Sequence, residues 1–210
     1  MHRDSPAGRS CLPPPRGLLF VLSGPSGVGK DAVIQRLKEQ QIGLHFAVTV
    51  TTRAERPGEV HGVNYYFATA EDFNRMRERD ELLEWAVVHG NNYGTPVGPI
   101  RQALDRGEDV LLKIDVQGAA QVKQRVPDAI FLFLAPTSIE QLVQRLNHRG
   151  TESPEEQERR TRDACEEMKR LSDYDYVVVN YEEKLDQAVK YLKSVIVGER
   201  CRVHPRRIRL

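Results

Sequence analysis

The chain has 210 residues, of which 40% are apolar and 29% charged, so it can bury a core and is predicted to form one domain with inserted lobes. Its 31 Lys and Arg nearly balance its 30 Asp and Glu, which excludes a global basic field for holding nucleic acid or an anionic membrane. The apolar runs are far shorter than the ~20 residues that span a bilayer, and the three cysteines show no metal-ligand spacing. We therefore predict a cytoplasmic protein with reduced thiols and with no nucleic-acid or membrane partner.

The two ends of the chain differ from the rest in composition. Residues 1–16 are rich in proline and polar residues and are predicted to form a flexible leader. Residues 199–210 form a basic tail, whose segment 201–210 we expect to be disordered. The folded domain is thus predicted to cover residues 17–198.

Short apolar runs alternate with helical patterns along this domain. The runs lack polar–apolar alternation, which favours strands covered on both faces, and they lie at 18–22, 110–112, 130–134 and 176–179. Helical patterns lie at 32–40, 99–106, 119–125, 138–147, 154–171 and 183–197. This order of strand and helix predicts an α/β fold with a parallel core sheet flanked by helices. Two segments interrupt it: a turn-rich stretch that begins at Thr49, and a highly charged stretch near 149–162.

A glycine-rich loop follows the first apolar run and precedes a helical pattern. Its residues are Gly24, Pro25, Ser26, Gly27, Val28, Gly29 and Lys30. This is the spacing of a P-loop, in which backbone N–H groups and the helix N-terminus surround the phosphates of a nucleoside triphosphate and the lysine reaches the terminal phosphates. We therefore predict an ATP-type phosphate site, with Lys30 as a catalytic residue.

The residue after the loop departs from the P-loop pattern. Asp31 stands where a Ser or Thr hydroxyl ordinarily ligates Mg²⁺. A carboxylate about 4 Å from a phosphate charge costs about 1 kcal/mol in water and about 4 kcal/mol at an effective dielectric constant of 20. We therefore expect a cation beside Asp31, and Asp31 is a candidate ligand of the Mg²⁺ that arrives as Mg-ATP.

From Gly17 to roughly Gly198 the chain resembles the guanylate kinases. The motifs that carry this resemblance are Gly24-Pro25-Ser26-Gly27, Thr51-Thr52-Arg53 with Arg56-Pro57-Gly58-Glu59, Tyr65-Tyr66-Phe67, Glu84-Trp85, Asn92-Tyr93-Gly94-Thr95, Ile114-Asp115-Val116-Gln117-Gly118 and Arg149-Gly150-Thr151. The resemblance implies a P-loop NTPase fold and transfer of the ATP γ-phosphoryl group to GMP. It also implies a GMP-binding lobe at 49–95 and a lid at 141–164, on a core of 17–48, 96–140 and 165–198.

The resemblance also implies two groups of acceptor-binding residues. Arg53, Arg56, Tyr65 and Tyr93 would bind the dianionic phosphate of GMP, for which guanidinium forks and phenolic hydroxyls are suitable donors. Thr49, Glu84, Thr95 and Asp115 would bind guanine, whose N1–H and exocyclic amine are donors. Adenine would leave the buried carboxylates unpaired, and a mismatch of that kind gives roughly 10⁴-fold rejection.

Further roles follow from the same resemblance. Arg145, Arg149 and Arg160 of the lid would neutralise charge on the transferred group and are candidate catalytic residues, although a solvated charged helix is the alternative interpretation. Asn180 would contact the ATP adenine. No general base is predicted, because the GMP phosphate is already an anionic nucleophile at neutral pH.

Lys113 is a second departure, since the family usually carries a carboxylate two residues before the position of Asp115. A lysine in so apolar a run needs an anionic partner. We hypothesise that Lys113 and Asp31 face each other across the phosphate site, where Lys113 neutralises Asp31 or touches a phosphate. The alternative is that the two substitutions are unrelated and that Lys113 reaches solvent.

Two other functions stay open at this point. One is a non-catalytic guanylate-kinase-like module that binds a phosphopeptide with the same arginines, and the intact Gly24, Gly29 and Lys30 argue against it. The other is a P-loop kinase for a different phosphorylated small molecule, and the presence of both Glu84 and Asp115 argues against that. The sequence does not indicate an oligomeric state.

Overall fold

The computed structural model describes residues 16–88, 90–147 and 154–210. In chain order the elements are β1 (Leu19–Ser23), α1 (Lys30–Glu39), β2 (Leu44–Phe46), β3 (Thr49–Thr51), β4 (Tyr65–Phe67), α2 (Ala70–Glu78), β5 (Leu82–Val88), β6 (Asn91–Pro96), α3 (Val97–Asp105), β7 (Asp109–Lys113), α4 (Val116–Arg125), β8 (Ile130–Ala135), α5 (Ile139–Asn147), α6 (Pro154–Met168), a 3₁₀ helix (Lys169–Asp173), β9 (Tyr176–Val179) and α7 (Leu185–Arg200). The predicted α/β class is confirmed. No helix in these three ranges is long and apolar enough to cross a membrane.

The core sheet has five strands in the order β2-β7-β1-β8-β9, and each pairing in it is parallel. All four predicted apolar runs are present as strands. The sequence analysis missed the edge strand β2, because its three residues are only half-buried and do not form a continuous apolar run. In the pairing of β1 with β7, Leu22 lies opposite Lys113, so Lys113 ends its strand beside the entry to the P-loop.

Helices cover both faces of this sheet. Leu18, Phe20 and Leu22 pack in one buried cluster with residues of α1, α5 and α7. Leu19 and Val21 pack in another with residues of α3 and α4. Successive side chains of a strand point to opposite faces, so the continuous apolar run of β1 is explained by burial on both of its sides.

The lobe predicted at 49–95 forms a second sheet, with strand order β4-β3-β6-β5. Helix α2 packs on this sheet through Phe73, which joins Val50 and Leu82 in a small separate core. The lobe also contacts the core domain through α4, because the Gln121 side-chain amide donates a 2.7 Å hydrogen bond to the backbone oxygen of Trp85. Helix α4 therefore joins the second sheet to the core domain.

The basic tail is ordered, which corrects the expectation of disorder for 201–210. Ile208 and Leu210 pack against the buried cluster beside α3 and α4. Arg206 reaches the fully buried carboxylate of Glu199 at 3.4 Å and donates to the backbone oxygen of Ala129 at 3.2 Å. The composition indicated solvated charges, but a buried carboxylate needs a cation, and only the folded chain shows that the tail supplies it.

Candidate active site

The P-loop has the backbone conformation that its glycines permit. Gly24, Gly27 and Gly29 have φ angles of 144°, 79° and 99°, a region that residues with a Cβ rarely adopt. At Gly24 a Cβ would also lie 2.2 Å from the backbone oxygen of Leu134 on the neighbouring strand β8. The loop therefore passes close to the sheet before α1 begins at Lys30.

Lys30 is held against its own loop. Its Nζ donates hydrogen bonds to the backbone oxygens of Gly24 at 2.6 Å and Pro25 at 3.0 Å. Burial lowers the pKa of Lys30 from 10.5 to about 8, and the carboxylates of Glu167 and Asp115 partly oppose this effect. Anionic phosphates beside Lys30 would favour its charged form further.

Two side chains from distant parts of the chain contact the backbone oxygen of Val28 in the loop. The buried side-chain amide of Asn180 donates to it at 2.8 Å, and Nη1 of Arg145 donates to it at 3.4 Å. The structure thus places Asn180 on the P-loop backbone, whereas its contact with adenine stays a prediction. Arg145 thus lies on the P-loop backbone, and its role as a lid arginine stays a prediction.

Glu167 was missed by the sequence analysis. It lies on α6, and its Oε2 accepts a 2.9 Å hydrogen bond from the backbone N–H of Ser26. Burial raises the pKa of Glu167, while the Ser26 amide and the Lys30 ammonium oppose this effect. In sequence Glu167 is one of many acidic residues in a charged helix, so only the packing of α6 on the P-loop identifies it.

The P-loop lysine and the predicted guanine-binding acids line one cavity between lobe and core. Its lining is Lys30, Thr49, Tyr65, Glu84, Ala86, Val88, Tyr93, Lys113, Ile114 and Asp115. Residues from β3, β4, β5, β6 and β7 therefore meet Lys30 there, although the lining extends over 85 positions of the chain, from Lys30 to Asp115.

Glu84 is a buried carboxylate held by a cross-strand partner. It lies opposite Thr95 in the pairing of β5 with β6, and the Thr95 hydroxyl donates to Glu84 Oε1 at 2.6 Å. Burial raises the pKa of Glu84 from 4.5 to about 7; the charge of Asp115 adds to this effect and the Thr95 hydrogen bond opposes it. Thr95 itself is only 1% exposed, so in this structure its hydroxyl serves Glu84.

Asp115 lies next to Glu84 because a glycine separates them. Asp115 caps α4, and its Oδ1 accepts the backbone N–H of Gly118 at 2.7 Å. A Cβ on Gly118 would lie 2.5 Å from Glu84 Oε2 and 3.3 Å from Asp115 Oδ1. Gly118 therefore leaves the space in which the two acids approach each other, a role that the sequence analysis did not assign.

The predicted phosphate ligands lie in an adjoining open cavity, which shares Thr49, Tyr65, Tyr93 and Lys113 with the first. Its further lining includes Asp31, Arg53, Arg56 and Glu59. Arg53 donates to both oxygens of Glu59, at 2.7 and 2.9 Å, and its guanidinium lies 5.4 Å from the centre of the Tyr65 ring. The backbone N–H of Arg56 donates to Glu59 at 2.9 Å, while the Arg56 side chain is exposed.

The hypothesised pair of Asp31 and Lys113 is present. Lys113 Nζ lies 2.5 Å from Asp31 Oδ1, although the two residues are 82 positions apart. Burial lowers the pKa of Lys113, but the charge and hydrogen bond of Asp31 together with the charges of Tyr65 and Tyr93 outweigh burial, and the net shift is upward. Lys113 thus contacts Asp31 rather than reaching into solvent alone, and the dependence of the two substitutions on each other stays a prediction.

Comparison with known proteins identifies the family of this site. The guanylate kinase family model matches residues 16–199. The chain belongs to the guanylate kinase family.

Individual members of the guanylate kinase family cover nearly the whole chain. "Guanylate kinase 2, chloroplastic/mitochondrial" of Oryza sativa subsp. japonica is 50% identical over 199 residues, which cover 94% of this chain and 70% of that protein. The guanylate kinase of Desulfitobacterium hafniense is 50% identical, with 89% of this chain and 92% of that protein covered. Among solved structures, guanylate kinase from Anaplasma phagocytophilum matches with a TM-score of 0.72 and 32% identity, and covers 90% of this chain and 88% of that chain. The P-loop NTPase fold implied by the sequence is confirmed.

The structure brings most of the predicted guanylate kinase residues together, with two exceptions. Arg149 lies outside the described residues, and Arg160 lies in α6 with a side chain outside the described part. Their roles as lid arginines stay predictions.

Proposed function

We propose that this chain transfers the γ-phosphoryl group of ATP to GMP and releases ADP and GDP. The observation that carries this proposal is the single cavity lined by the P-loop lysine Lys30 and by the two acids Glu84 and Asp115. A P-loop holds the donor triphosphate, and an acid pair in the same cavity suits a purine that presents two donor groups. Two nucleotides would then meet phosphate to phosphate beside Lys30.

Guanine recognition follows from the acceptors in this cavity. Ionised Glu84 and Asp115 accept hydrogen bonds from N1–H and from the exocyclic amine, while Thr49 lines the same wall. Thr95, predicted to touch the base, acts through Glu84 in this scheme because its hydroxyl is already bonded to that carboxylate. AMP offers no matching donors, so the acids would stay desolvated and unpaired, which costs affinity.

The acceptor phosphate is bound by the second group of residues. Arg53 and Arg56 provide guanidinium donors and Tyr65 and Tyr93 provide phenolic hydroxyls at the shared wall of the two cavities. Arg53 is oriented by Glu59, so little side-chain entropy is lost when it meets the phosphate. This arrangement aligns a GMP phosphate oxygen with the γ-phosphorus of ATP.

The reaction itself needs charge neutralisation rather than a base. Lys30 contacts the terminal phosphates of ATP, and Arg145, Arg149 and Arg160 neutralise charge on the transferred group when the nucleotides are bound. The donor is held by the loop from Gly24 to Lys30, and Asn180, which contacts Val28 of that loop, would meet its adenine. In-line transfer then places the γ-phosphoryl group on GMP.

Mg²⁺ is the cofactor we infer, bound as Mg-ATP. In the described ranges, no three His, Cys, Asp or Glu side chains cluster as a metal cage. Mg²⁺ in phosphoryl-transfer sites is ordinarily held by one or two carboxylates, water and the substrate phosphates. Asp31, with a side chain 84% exposed directly after the P-loop lysine, is the protein ligand that fits this mode. The ion would neutralise phosphate charge.

We further infer that ATP and GMP are the partners of this protein in a cytoplasmic setting, and that nucleic acid and membranes are not. The rice relative carries an organellar name, so the location of a tagged full-length chain in its own cells tests this inference. Accumulation in an organelle would overturn it without affecting the proposed activity.

The proposed activity is tested by measuring ADP release with ATP and, in turn, GMP, AMP, CMP and UMP. We expect turnover with GMP and a value of kcat/KM at least about 10³-fold lower with AMP. Equal rates with AMP and GMP would reject the guanine assignment. Absence of turnover with every acceptor, together with tight binding of a phosphopeptide, would instead support the non-catalytic module.

A further inference from the structure

Lys113 lies at the junction of the two cavities. It ends the buried strand β7, its side chain is 31% exposed, and it lines both the cavity with Lys30, Glu84 and Asp115 and the cavity with Arg53 and Arg56. A charge at this point is within the space that joins the donor and acceptor phosphates.

The ion pair between Lys113 and Asp31 contributes too little to the free energy of folding to explain why a lysine ends strand β7. The Asp31 side chain is 84% exposed, and ion pairs of that kind contribute only about 0–1 kcal/mol. A phosphate oxygen accepts a charge-assisted hydrogen bond from an ammonium as a carboxylate does, so this weak ion pair does not prevent Lys113 from binding a phosphate. The Lys113 ammonium is therefore held in place by Asp31 but is able to turn toward a phosphate.

Lys113 shares its cavity with a second ammonium group. Lys30 and Lys113 both line the cavity that holds Glu84 and Asp115, and the phenol rings of Tyr65 and Tyr93 line it as well. Two ammonium groups in one cavity form a site for an anion that can be shared between them.

We propose that Lys113 is a further catalytic residue, whose ammonium binds the phosphate oxygens between donor and acceptor, and that Asp31 is its positioning residue. This rests on the proposed function. In the step, the bond between the γ-phosphorus and the bridging oxygen of ATP breaks, and ADP leaves with the electron pair. A bond forms between that phosphorus and an oxygen of the GMP phosphate. Lys113 stays protonated throughout and stabilises the negative charge on the oxygens of the phosphoryl group during its transfer.

The first test is Lys113→Met, which removes the ammonium and keeps the length of the side chain. We expect kcat with ATP and GMP to fall by about 10²-fold, the usual cost of losing one transition-state donor. The KM for GMP should change by less than about threefold if this contact forms chiefly in the transition state. Lys113→Arg should recover most of the activity. Lys169→Met, which removes a surface lysine paired with Glu166 at 2.6 Å, is the matched control and should leave kcat unchanged.

The second test separates catalysis from structure by exchanging the two charges. The double variant Asp31→Lys, Lys113→Asp rebuilds the ion pair in the opposite direction and moves the ammonium to the exposed position. We expect a wild-type melting temperature but a kcat still at least about 30-fold reduced. Wild-type kcat in this double variant would show that only the ion pair matters and would overturn the proposal.

A binding measurement keeps the proposal testable without turnover. Calorimetry would compare GMP with an analogue that joins adenosine and guanosine through five phosphates. Lys113→Met should raise the Kd for the analogue by at least about tenfold more than the Kd for GMP. If Lys113→Met does not fold, the variant with the exchanged charges takes its place. Equal weakening of both ligands would contradict a contact between the two phosphates. If the wild-type chain fails to phosphorylate GMP, the proposed function fails; if the wild type turns over GMP and Lys113→Met matches it, only this inference fails.

Discussion

The two ends of the active site are built in different ways. At the base end, Glu84 is only 4% exposed, is fixed by Thr95 across the strand pair and lies beside Asp115 through the gap at Gly118. At the phosphate end, three cations already have an internal partner: Lys30 has loop carbonyl oxygens, Arg53 has Glu59 and Lys113 has Asp31.

This difference has a physical reason. Acceptors for guanine gain selectivity from desolvation, because an acid that is already buried penalises every base that cannot pair with it. Cations for phosphates carry like charges, and without internal anions they would repel one another in the nucleotide-free protein. In the proposed function, the base end would therefore be assembled before binding, whereas the phosphate end would exchange its internal partners for those of the ligands. Six experiments test this comparison and its consequences, from the largest expected effect to the smallest.

Glu84→Gln should have the largest effect at the base end. The amide keeps the size of the side chain but replaces one acceptor oxygen with a donor that faces the donors of guanine. We expect kcat/KM for GMP to fall by about 10³-fold, with little change in the KM for ATP. Steady-state kinetics with each substrate varied in turn measure both values. A fall of less than tenfold would show that Glu84 does not contact the base.

Gly118→Ala tests whether the two acids need the gap between them. The new Cβ would lie 2.5 Å from Glu84 Oε2, and Glu84 is packed too tightly to move without disturbing its bond to Thr95. We expect kcat/KM for GMP to fall by about 10²-fold and the free energy of unfolding to fall by about 1–3 kcal/mol. Gly198→Ala is the control, since a Cβ there has no neighbour within 4 Å. An unchanged KM for GMP in Gly118→Ala would contradict a preassembled base end.

Arg53→Lys addresses the phosphate end. Lysine keeps the charge but loses the planar fork that faces Glu59 and the acceptor phosphate. We expect the KM for GMP to rise about tenfold while kcat falls less, because the contact aligns the ground state as well as the transition state. Titration of GMP at saturating ATP measures this split. A larger fall in kcat than rise in KM would instead make Arg53 a transition-state residue.

The pH dependence of GMP affinity reports on Glu84. Its pKa is raised to about 7 by burial, and the ionised form is the one that accepts from guanine, so affinity should fall as the pH drops. From pH 7 to pH 6 the ionised fraction falls about fivefold, and the Kd for GMP should rise by a similar factor. The GMP phosphate also titrates near pH 6, so Glu84→Gln is the control: it keeps the titration of the substrate and loses that of the enzyme. Equal pH profiles would contradict the assignment.

The raised pKa of Glu84 also makes the stability of the folded chain depend on pH. The folded state holds the Glu84 proton more tightly than the unfolded state, so the contribution is fully present below pH 4.5 and is lost as the pH rises to about 7. The loss is on the order of 3 kcal/mol. The melting temperature of the wild type should therefore fall between pH 4.5 and pH 7 relative to that of Glu84→Gln.

Removal of residues 206–210 should have the smallest effect on activity. The truncation takes away the Arg206 contacts to Glu199 and Asp175 and the packing of Ile208 and Leu210. We expect the free energy of unfolding to fall by roughly 2–4 kcal/mol, with kcat and both KM values within twofold of wild type below the melting temperature. A selective loss of activity without a loss of stability would show that the tail serves the active site.

The features of the fold and the site that could be predicted from the sequence are those that depend on residues close together in the chain. The loop from Gly24 to Lys30 needs positive φ angles and a following helix, and both depend on neighbours in the chain. The pairing of Lys113 with Asp31 was also predictable, because a lysine that ends an apolar strand requires an anion and the P-loop pattern had just been broken by a carboxylate. Family motifs supplied Glu84, Asp115 and the phosphate-binding arginines.

The parts that could not be predicted depend on distances between remote elements. Strand β2 is three residues long and half-buried, so its position at the sheet edge is decided by pairing with β7. Glu167 resembles every other acid of a charged helix until α6 packs on the P-loop. The composition of the tail predicts a solvated basic segment. Only the folded structure shows that its Arg206 reaches the buried carboxylate of Glu199.

By itself the sequence determined that this chain forms a parallel α/β domain with a P-loop and an inserted lobe, because periodicity and glycine spacing are properties of neighbouring residues. Only the tertiary structure decided that Thr95 serves Glu84, that Gly118 makes room for a pair of acids and that the tail closes over Glu199. These relations depend on burial and on separations of a few ångströms between elements. Desolvation acts on the groups that the fold buries, and the order of residues along the chain does not show which groups those are.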